Sequence, residues 1–336
     1  MPRNVPSVSR PRPRLLLAGL LSATFFAPLA NAESLYSLKV TNDLFSSSDD
    51  GHYTSGVDLM RIATPEADHW SRRLAEWLPG WTANGMDAIG YQLSHQIYTP
   101  KAIERRELIE DDRPYAGLLL GGLSLFDDVQ HDGWREASML NLQFGMVGPI
   151  AGGEPLQNGV HKVLDSDKPR GWDHQLENEP IVNLGWNKSW WLQNRWAGLE
   201  WEYGPSASWQ VGNLYDYLGT GGAIRFGDGL DKSFGIPSVT PALSGRQGFS
   251  ANRGFGWYGF VGVEGRYMAH NLLLDGNTFE DSHSVDRREW VGDVTAGAVV
   301  SFDRWQLAFT NVWRSHEFEA QEEADHFGSI TLSTWL

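Results

Sequence analysis

Four groups of polar residues in this chain could do chemistry. Asn42-Asp43 closes one segment, and Asp50-Gly51-His52-Tyr53-Thr54-Ser55-Gly56 opens the next. If the two segments pair as an antiparallel hairpin, Asp43 and Thr54 meet on one rim as oxygen donors suited to a hard cation such as calcium. A third group runs from Tyr98-Thr99-Pro100 through Arg105-Arg106 to Asp111-Asp112-Arg113-Pro114-Tyr115-Ala116-Gly117. There, Arg113 beside two acids reads either as a local ion-pair cluster or as a clamp for an anionic substrate. The fourth lies in Met146–Glu179, where Gln157, His161 and Asp165 fall at i, i+4 and i+8 and share one helix face. A histidine so placed could act as a general base. No G-x-S-x-G surrounds Ser55, so a serine nucleophile at an elbow is not indicated.

The elements that must position these groups are strands. From Glu33 the apolar residues recur with period two: Tyr36, Leu38 and Val40 against Ser37, Lys39 and Thr41. Comparable segments follow near 53–63, 87–98, 114–126, 136–148, 180–191, 195–209, 217–227, 254–269, 290–302, 305–318 and 326–336, twelve in all. Many reach about ten residues, the length a tilted strand needs to cross a bilayer. Tryptophans near segment ends (Trp134, Trp190, Trp191, Trp209, Trp290, Trp305) suit interfacial girdles. The pattern predicts an all-β, twelve-stranded antiparallel transmembrane β-barrel with short inserted helices at its outer rim. A periplasmic β-sandwich or a soluble barrel would also alternate on one face.

Two stretches break the period. Thr64-Pro65 opens a helical pattern with Trp70, Leu74, Trp77 and Leu78 that Pro79-Gly80 stops, a surface helix or a lid between strands. Pro155 suits the first residue of a second helix, in which Leu156, Val160, Val163 and Leu164 form an apolar stripe. That helix is either a functional insert or a packed plug. Residues 228–252 are taken as an external loop.

Composition narrows the classes. With no cysteine among 336 residues, disulfides, thiolate metal sites and a cysteine nucleophile are excluded. Residues 1–32 read as a signal peptide: four arginines, an apolar run from Leu15 to Ala30, then Ala30-Asn31-Ala32. Its removal takes away four positive charges and no acid, moving the net charge from −15 to −19. So acidic a chain offers no clustered cations for nucleic acid. Residues 33–336 form one domain without internal repeats, destined for the outer membrane and expected to be a monomer among outer-membrane lipids.

In order, V-T-N-D (Val40–Asp43), D-G-H-Y-T-S-G (Asp50–Gly56), Q-I-Y-T-P (Gln96–Pro100), D-D-R-P-Y-A-G (Asp111–Gly117) and G-P-I-A-G-G-E-P-L-Q-N-G-V-H (Gly148–His161), continued by G-W-D-H-Q-L-E-N-E (Gly171–Glu179), resemble the outer-membrane lipid A deacylases of the LpxR type. The likeness spreads over the chain after residue 32, with its specific motifs in the first half. It implies a calcium-dependent ester hydrolase that removes the 3′-linked acyl chains of lipid A or lipopolysaccharide at the barrel's outer rim. Residue by residue it implies catalytic roles for His161 (the general base), Asn42 and Gln157. Metal contacts fall on Asp43, Thr54 and Asp167, the last standing where Glu is the expected form. Lipid A phosphate would meet Arg105, Arg106 or Arg113. The alternatives are a phospholipase A-like esterase of the outer membrane with a Ser–His–Asn site, and a non-enzymatic channel or anchoring barrel plugged by the inserted helix.

Overall fold

The computed structural model describes residues 33–45, 52–77, 86–164, 167–230, 233, 235–237, 249 and 254–336. The proposed signal peptide, residues 46–51, Asp165 and most of 238–253 lie outside the described residues. Twelve antiparallel strands close into a barrel in which each pairs with its sequence neighbours and the last returns to the first. They are β1 (Ser34–Asn42), β2 (Tyr53–Ala63), β3 (Met86–Tyr98), β4 (Ala116–Gln130), β5 (Trp134–Val147), β6 (Glu179–Trp196), β7 (Leu199–Gly212), β8 (Tyr215–Asp228), β9 (Phe255–Asn271), β10 (Trp290–Phe302), β11 (Trp305–Arg314) and β12 (Asp325–Trp335). Two short helices, α1 (Trp70–Glu76) and α2 (Gly153–Leu164), interrupt the strand succession.

The period-two sequence becomes a two-sided wall. Leu38, Val57, Leu59, Val261, Val263, Leu307, Phe309 and Leu332 are exposed on the outside, the belt that meets lipid. Between them Lys39, Asp58, Gln92, Asp293 and Arg314 are buried in the interior. Lys39 Nζ lies 3.1 Å from Asp58, and Gln92 Nε2 donates to the same carboxylate at 2.9 Å. Paired charges in the lumen satisfy one another, because an unpaired charge away from water is costly. Trp196, Trp290 and Trp305 are exposed at strand ends, as interfacial residues should be. Trp191 departs from that expectation: it is buried, and the Arg225 guanidinium lies 5.4 Å from the centre of its ring.

The turns tell the two ends apart. β6–β7 turns on Ala197 (φ 53°) and Gly198 (φ 81°), the paired positive φ of a tight type I′ hairpin. β10–β11 connects in two residues and β4–β5 in three, at the end that also carries the start of β1 and the end of β12; of the connections at the other end only β7–β8 is as short. Short turns mark the periplasmic side of an outer-membrane barrel. Long connections at the other end (residues 99–115, 148–178, 272–289 and 315–324) form the outer rim.

The connection after β8 leaves at the periplasmic end and is not an external loop. Its described residues Leu230, Ser233 and Phe249 are buried. Arg225, fully enclosed, donates to the Leu230 carbonyl at 3.2 Å, the Ser233 carbonyl at 2.9 Å and the Gly235 carbonyl at 3.0 Å, and pairs with Glu202. The interior charges hold this connection inward.

Candidate active site

At the outer end of β1 the chain enters a 3₁₀ turn at Asp43–Phe45, then returns as β2. The β2–β3 register shifts between Tyr53 and Ser55, so Thr54 is an extra, bulged residue. Bulges re-aim side chains at such rims. Asn42 Nδ2 donates to the Thr54 carbonyl at 2.6 Å, and the Thr54 and Thr99 hydroxyls lie 2.7 Å apart. Asp43, Thr54 and Thr99 are all buried. Asn42 pairs with Ser55, and both continue the outward set of Leu38, Val57 and Leu59. This hairpin tip therefore borders the outer wall of the barrel rather than its lumen.

The inserted helix packs on that same outer wall. Directly paired residues share a face, and β3 His95 pairs with outward Val57 of β2 and with Leu119 of β4. By alternation Ile97 and Gly117 also look outward. His95 Nε2 donates to the Ala151 carbonyl at 2.9 Å, just before α2. A Cβ on Gly117 would stand 2.8 Å from the Gly153 nitrogen, and one on Gly153 would stand 2.6 Å from Trp172, so both positions need glycine for the helix to seat. Ile97 packs with Tyr115 and Trp172 under the same connection.

With the helix seated, its two stripes separate. Gly153, Gln157 and His161 are buried against the wall, whereas Leu156 and Val160 are exposed and Val163 is 83 % exposed. The apolar stripe expected from periodicity is present, but it faces away from the protein. His161 is 8 % exposed, and its Nδ1 meets the Asp167 backbone carbonyl at 2.6 Å. A carbonyl only accepts, so Nδ1 carries hydrogen, and in the neutral ring Nε2 holds the lone pair. Trp172 Nε1 donates to Gln157 Oε1 at 2.9 Å. An indole N–H can only donate, which fixes the amide so that its Nε2 is the remaining end. That Nε2 is buried with no hydrogen-bond partner among the described residues.

The other sequence-selected residues divide. Asp167 touches His161 through its backbone carbonyl, and the residue itself is exposed. Arg105 and Arg106 are exposed; the Arg105 carbonyl abuts Gly171, and Arg106 lies 3.5 Å from Asp173, so both adjoin the connection that carries α2. Arg113 is 1 % exposed, 3.4 Å from Glu317 and 4.9 Å from the centre of the Tyr98 ring. The interior holds it apart from the two exposed arginines.

Sequence reasoning gave no role to His95, Thr99 or Trp172, nor to a latch behind the site. His52 is bonded through Nδ1 to Asp325 at 2.5 Å and lies 3.3 Å from Asp112 through Nε2. Burial opposes charge on this ring, but the two carboxylates outweigh it and raise its pKa to about 9. Asp112 is half-buried, which pushes its carboxyl up, yet its bond to His52 holds it below the usual range. The latch joins the connections after β1 and β3 to the first residue of β12, and so braces the rim.

A closed twelve-stranded wall, apolar outside and charged inside, with a helix laid on its outer face, defines an outer-membrane β-barrel. The chain matches the family model described as outer membrane protein LpxR over residues 15–336, and it belongs to that family. Among solved structures, LpxR from Salmonella typhimurium aligns with a TM-score of 0.73 at 22% identity, covering 90% of this chain and 100% of that one. The β domain of the Bordetella autotransporter BrkA aligns at a TM-score of 0.43 and 10% identity, covering 91% and 100% respectively. Comparison with curated proteins returns no match.

Proposed function

We propose that this barrel is a lipid A 3′-O-deacylase: a calcium-dependent hydrolase that removes 3′-linked acyl chains, including acyloxyacyl groups, with water activated by His161. The observation that carries this reading is the orientation of α2. Its polar residues are buried on the side of the outward wall while its apolar stripe faces away, so a substrate cleft between helix and wall would open beside the bilayer, where lipid A lies. Family membership supplies the substrate class.

In this reading Nε2 of His161 takes a proton from water, whose oxygen attacks the ester carbonyl. The Asp167 carbonyl holds the ring in the tautomer that can do so. The unpartnered Nε2 of Gln157 is a donor for the developing oxyanion. As the tetrahedral intermediate collapses, His161 returns the proton to the departing sugar oxygen, leaving a free hydroxyl and a fatty acid. No acyl-enzyme forms. Asn42 holds the Thr54 carbonyl and thus the shape of the bulge. Arg105 and Arg106 offer guanidinium groups to a lipid A phosphate.

The residues at the hairpin tip fit calcium in donor type. At the tip of the β1–β2 hairpin Asp43 is a buried carboxylate, and the buried Thr54 and Thr99 hydroxyls lie 2.7 Å apart, donors that are all oxygen. Among the described residues no group of three or more His, Cys, Asp or Glu side chains is arranged to hold a metal ion, so neutral oxygens would make up most of the shell, with Asp43 and Thr54 as its core. Asp167 would join it only by turning its exposed carboxylate inward. When bound, calcium supplies Lewis-acid polarisation of the ester carbonyl. Asp43→Ala is expected to raise the calcium concentration for half-maximal activity at least about tenfold, as ligand charge sets such affinities. A lower rate with unchanged calcium dependence would remove Asp43 from the metal site.

Trp172→Phe keeps the ring over Gly153 but frees the Gln157 amide. It is expected to lower kcat about tenfold, the scale of a misplaced catalytic group, with KM little changed. A kcat equal to wild type would dismiss the orienting role. The reading as a whole is tested by offering purified protein lipid A and glycerophospholipid in parallel, with and without a calcium chelator. Fatty acid released from glycerophospholipid alone would favour the phospholipase alternative, and ion conductance without hydrolysis would favour a channel.

A further inference from the structure

Helix α1 lies at the periplasmic end, on the outside of the barrel. Its Ala75 packs in one cluster with Met86 and Ile89 of β3 and Leu125 of β4. Ile89 pairs with Leu125, and Ile89 shares the outward parity of His95 and Ile97. Arg72 fastens the helix at its base, donating to the Pro65 carbonyl at 2.9 Å, the Glu66 carbonyl at 3.0 Å and the Met86 carbonyl at 3.3 Å. With one side pressed on the wall, the helix leaves Trp70, Leu74 and Trp77 exposed at i, i+4 and i+7, and Trp77 is 86 % exposed. Such a stripe is too apolar for an ordinary wet surface.

The wall beneath α1 says what covers it. α1 rests on the same two strands, β3 and β4, that carry α2 at the opposite end. Ile89 under α1 and Ile97 under the outer cleft are eight residues apart along β3. That is about 27 Å of strand, and about 20 Å along the bilayer normal at a tilt near 40°. The apolar band of such barrels is about 25 Å tall, so helices on the outer wall at these two levels stand at its opposite boundaries. Tryptophan side chains settle at such boundaries, apolar body in the acyl region and N–H at the headgroups.

We infer that α1 lies in the periplasmic leaflet's interface, with Trp70, Leu74 and Trp77 seated among the acyl chains of glycerophospholipids, as an anchor beneath the strands that carry the outer cleft. The anchor holds whichever ester that cleft takes.

Because the chain contains no cysteine, one introduced thiol reports on one place. Leu74→Cys and, separately, Glu76→Cys would carry an environment-sensitive fluorophore in barrels held in phosphatidylcholine nanodiscs, open to water on both faces. With a nitroxide on the fifth acyl carbon, the label at position 74 is expected to lose more than about half its emission, and to be quenched by iodide several-fold less than the label at position 76, as for a helix lying in the interface. Adding Trp70→Ser and Trp77→Ser should restore iodide access at position 74, while the barrel keeps its folded migration on a denaturing gel. Equal iodide quenching at both positions would place the helix in water and overturn the inference. So would a label at position 74 shielded from iodide and nitroxide alike, since protein would then be its cover.

Discussion

His161→Ala is expected to cut ester hydrolysis by about 10²–10⁴-fold, the usual worth of a general base, while leaving the barrel folded. The size follows from its placement. No other imidazole is held on the buried face of α2, and only this ring has its tautomer set by the Asp167 carbonyl. The folding outcome follows from the same geometry. His161 sits on a helix laid over the wall and belongs to none of the strand ladders that close the barrel. Initial rates of fatty-acid release, with circular dichroism and gel migration as controls, check both halves. A rate within about threefold of wild type would show that water is activated elsewhere.

Asp293→Ala carries the largest expected stability effect. The Asp293 carboxylate accepts Nε and Nη2 of Arg314 at 2.9 Å each and pairs with Arg266 Nη2 at 2.9 Å, and all three residues are buried in the lumen. Truncation leaves two guanidinium groups facing each other with their shared partner gone. Removing one member of a buried ion pair costs about 3–5 kcal/mol. Denaturant unfolding in micelles should record a markedly lower midpoint. Glu33→Ala provides the contrast: its 2.6 Å contact with Arg304 is half exposed at both ends, and losing it should cost at most about 1 kcal/mol. Equal midpoints for the two variants would mean that the lumen is wet enough to screen its charges.

Much of the fold is legible because a membrane barrel writes its two environments into alternate residues. Lys39 between Leu38 and Val40, or Asp58 between Val57 and Leu59, marks the lumen as plainly as its neighbours mark the lipid. All twelve strands were recoverable on that basis. Where the period stops, less was readable. The connection after β8 is drawn inward by Arg225, Glu202 and Arg135, residues of three strands that no local pattern links to Ser233. Trp191 shows the same limit, since a tryptophan near a strand end reads as a girdle whichever side it takes.

At the site, periodicity separated the two stripes of α2 but could not say which one faces the protein. In water the apolar stripe would be buried; at a lipid boundary the preference inverts. The link from Asp167 to His161 runs through a backbone carbonyl, to which the identity of a side chain is no guide. The His52 latch depends on Asp325, 273 residues away in sequence, and becomes visible only once barrel closure sets β1 beside β12. Trp172 and Thr99 stood inside recognisable motifs, yet nothing in those motifs states that one orients an amide and the other extends an oxygen cluster.

Mass spectrometry of lipid A after incubation with the purified barrel tests the central claim most directly. Wild-type protein with calcium should give lipid A lighter by its 3′-linked acyl groups, and chelation or His161→Ala should leave the mass unchanged. Intact lipid A after incubation with folded wild-type protein and calcium, or loss of acyl groups that His161→Ala does not slow, would contradict it.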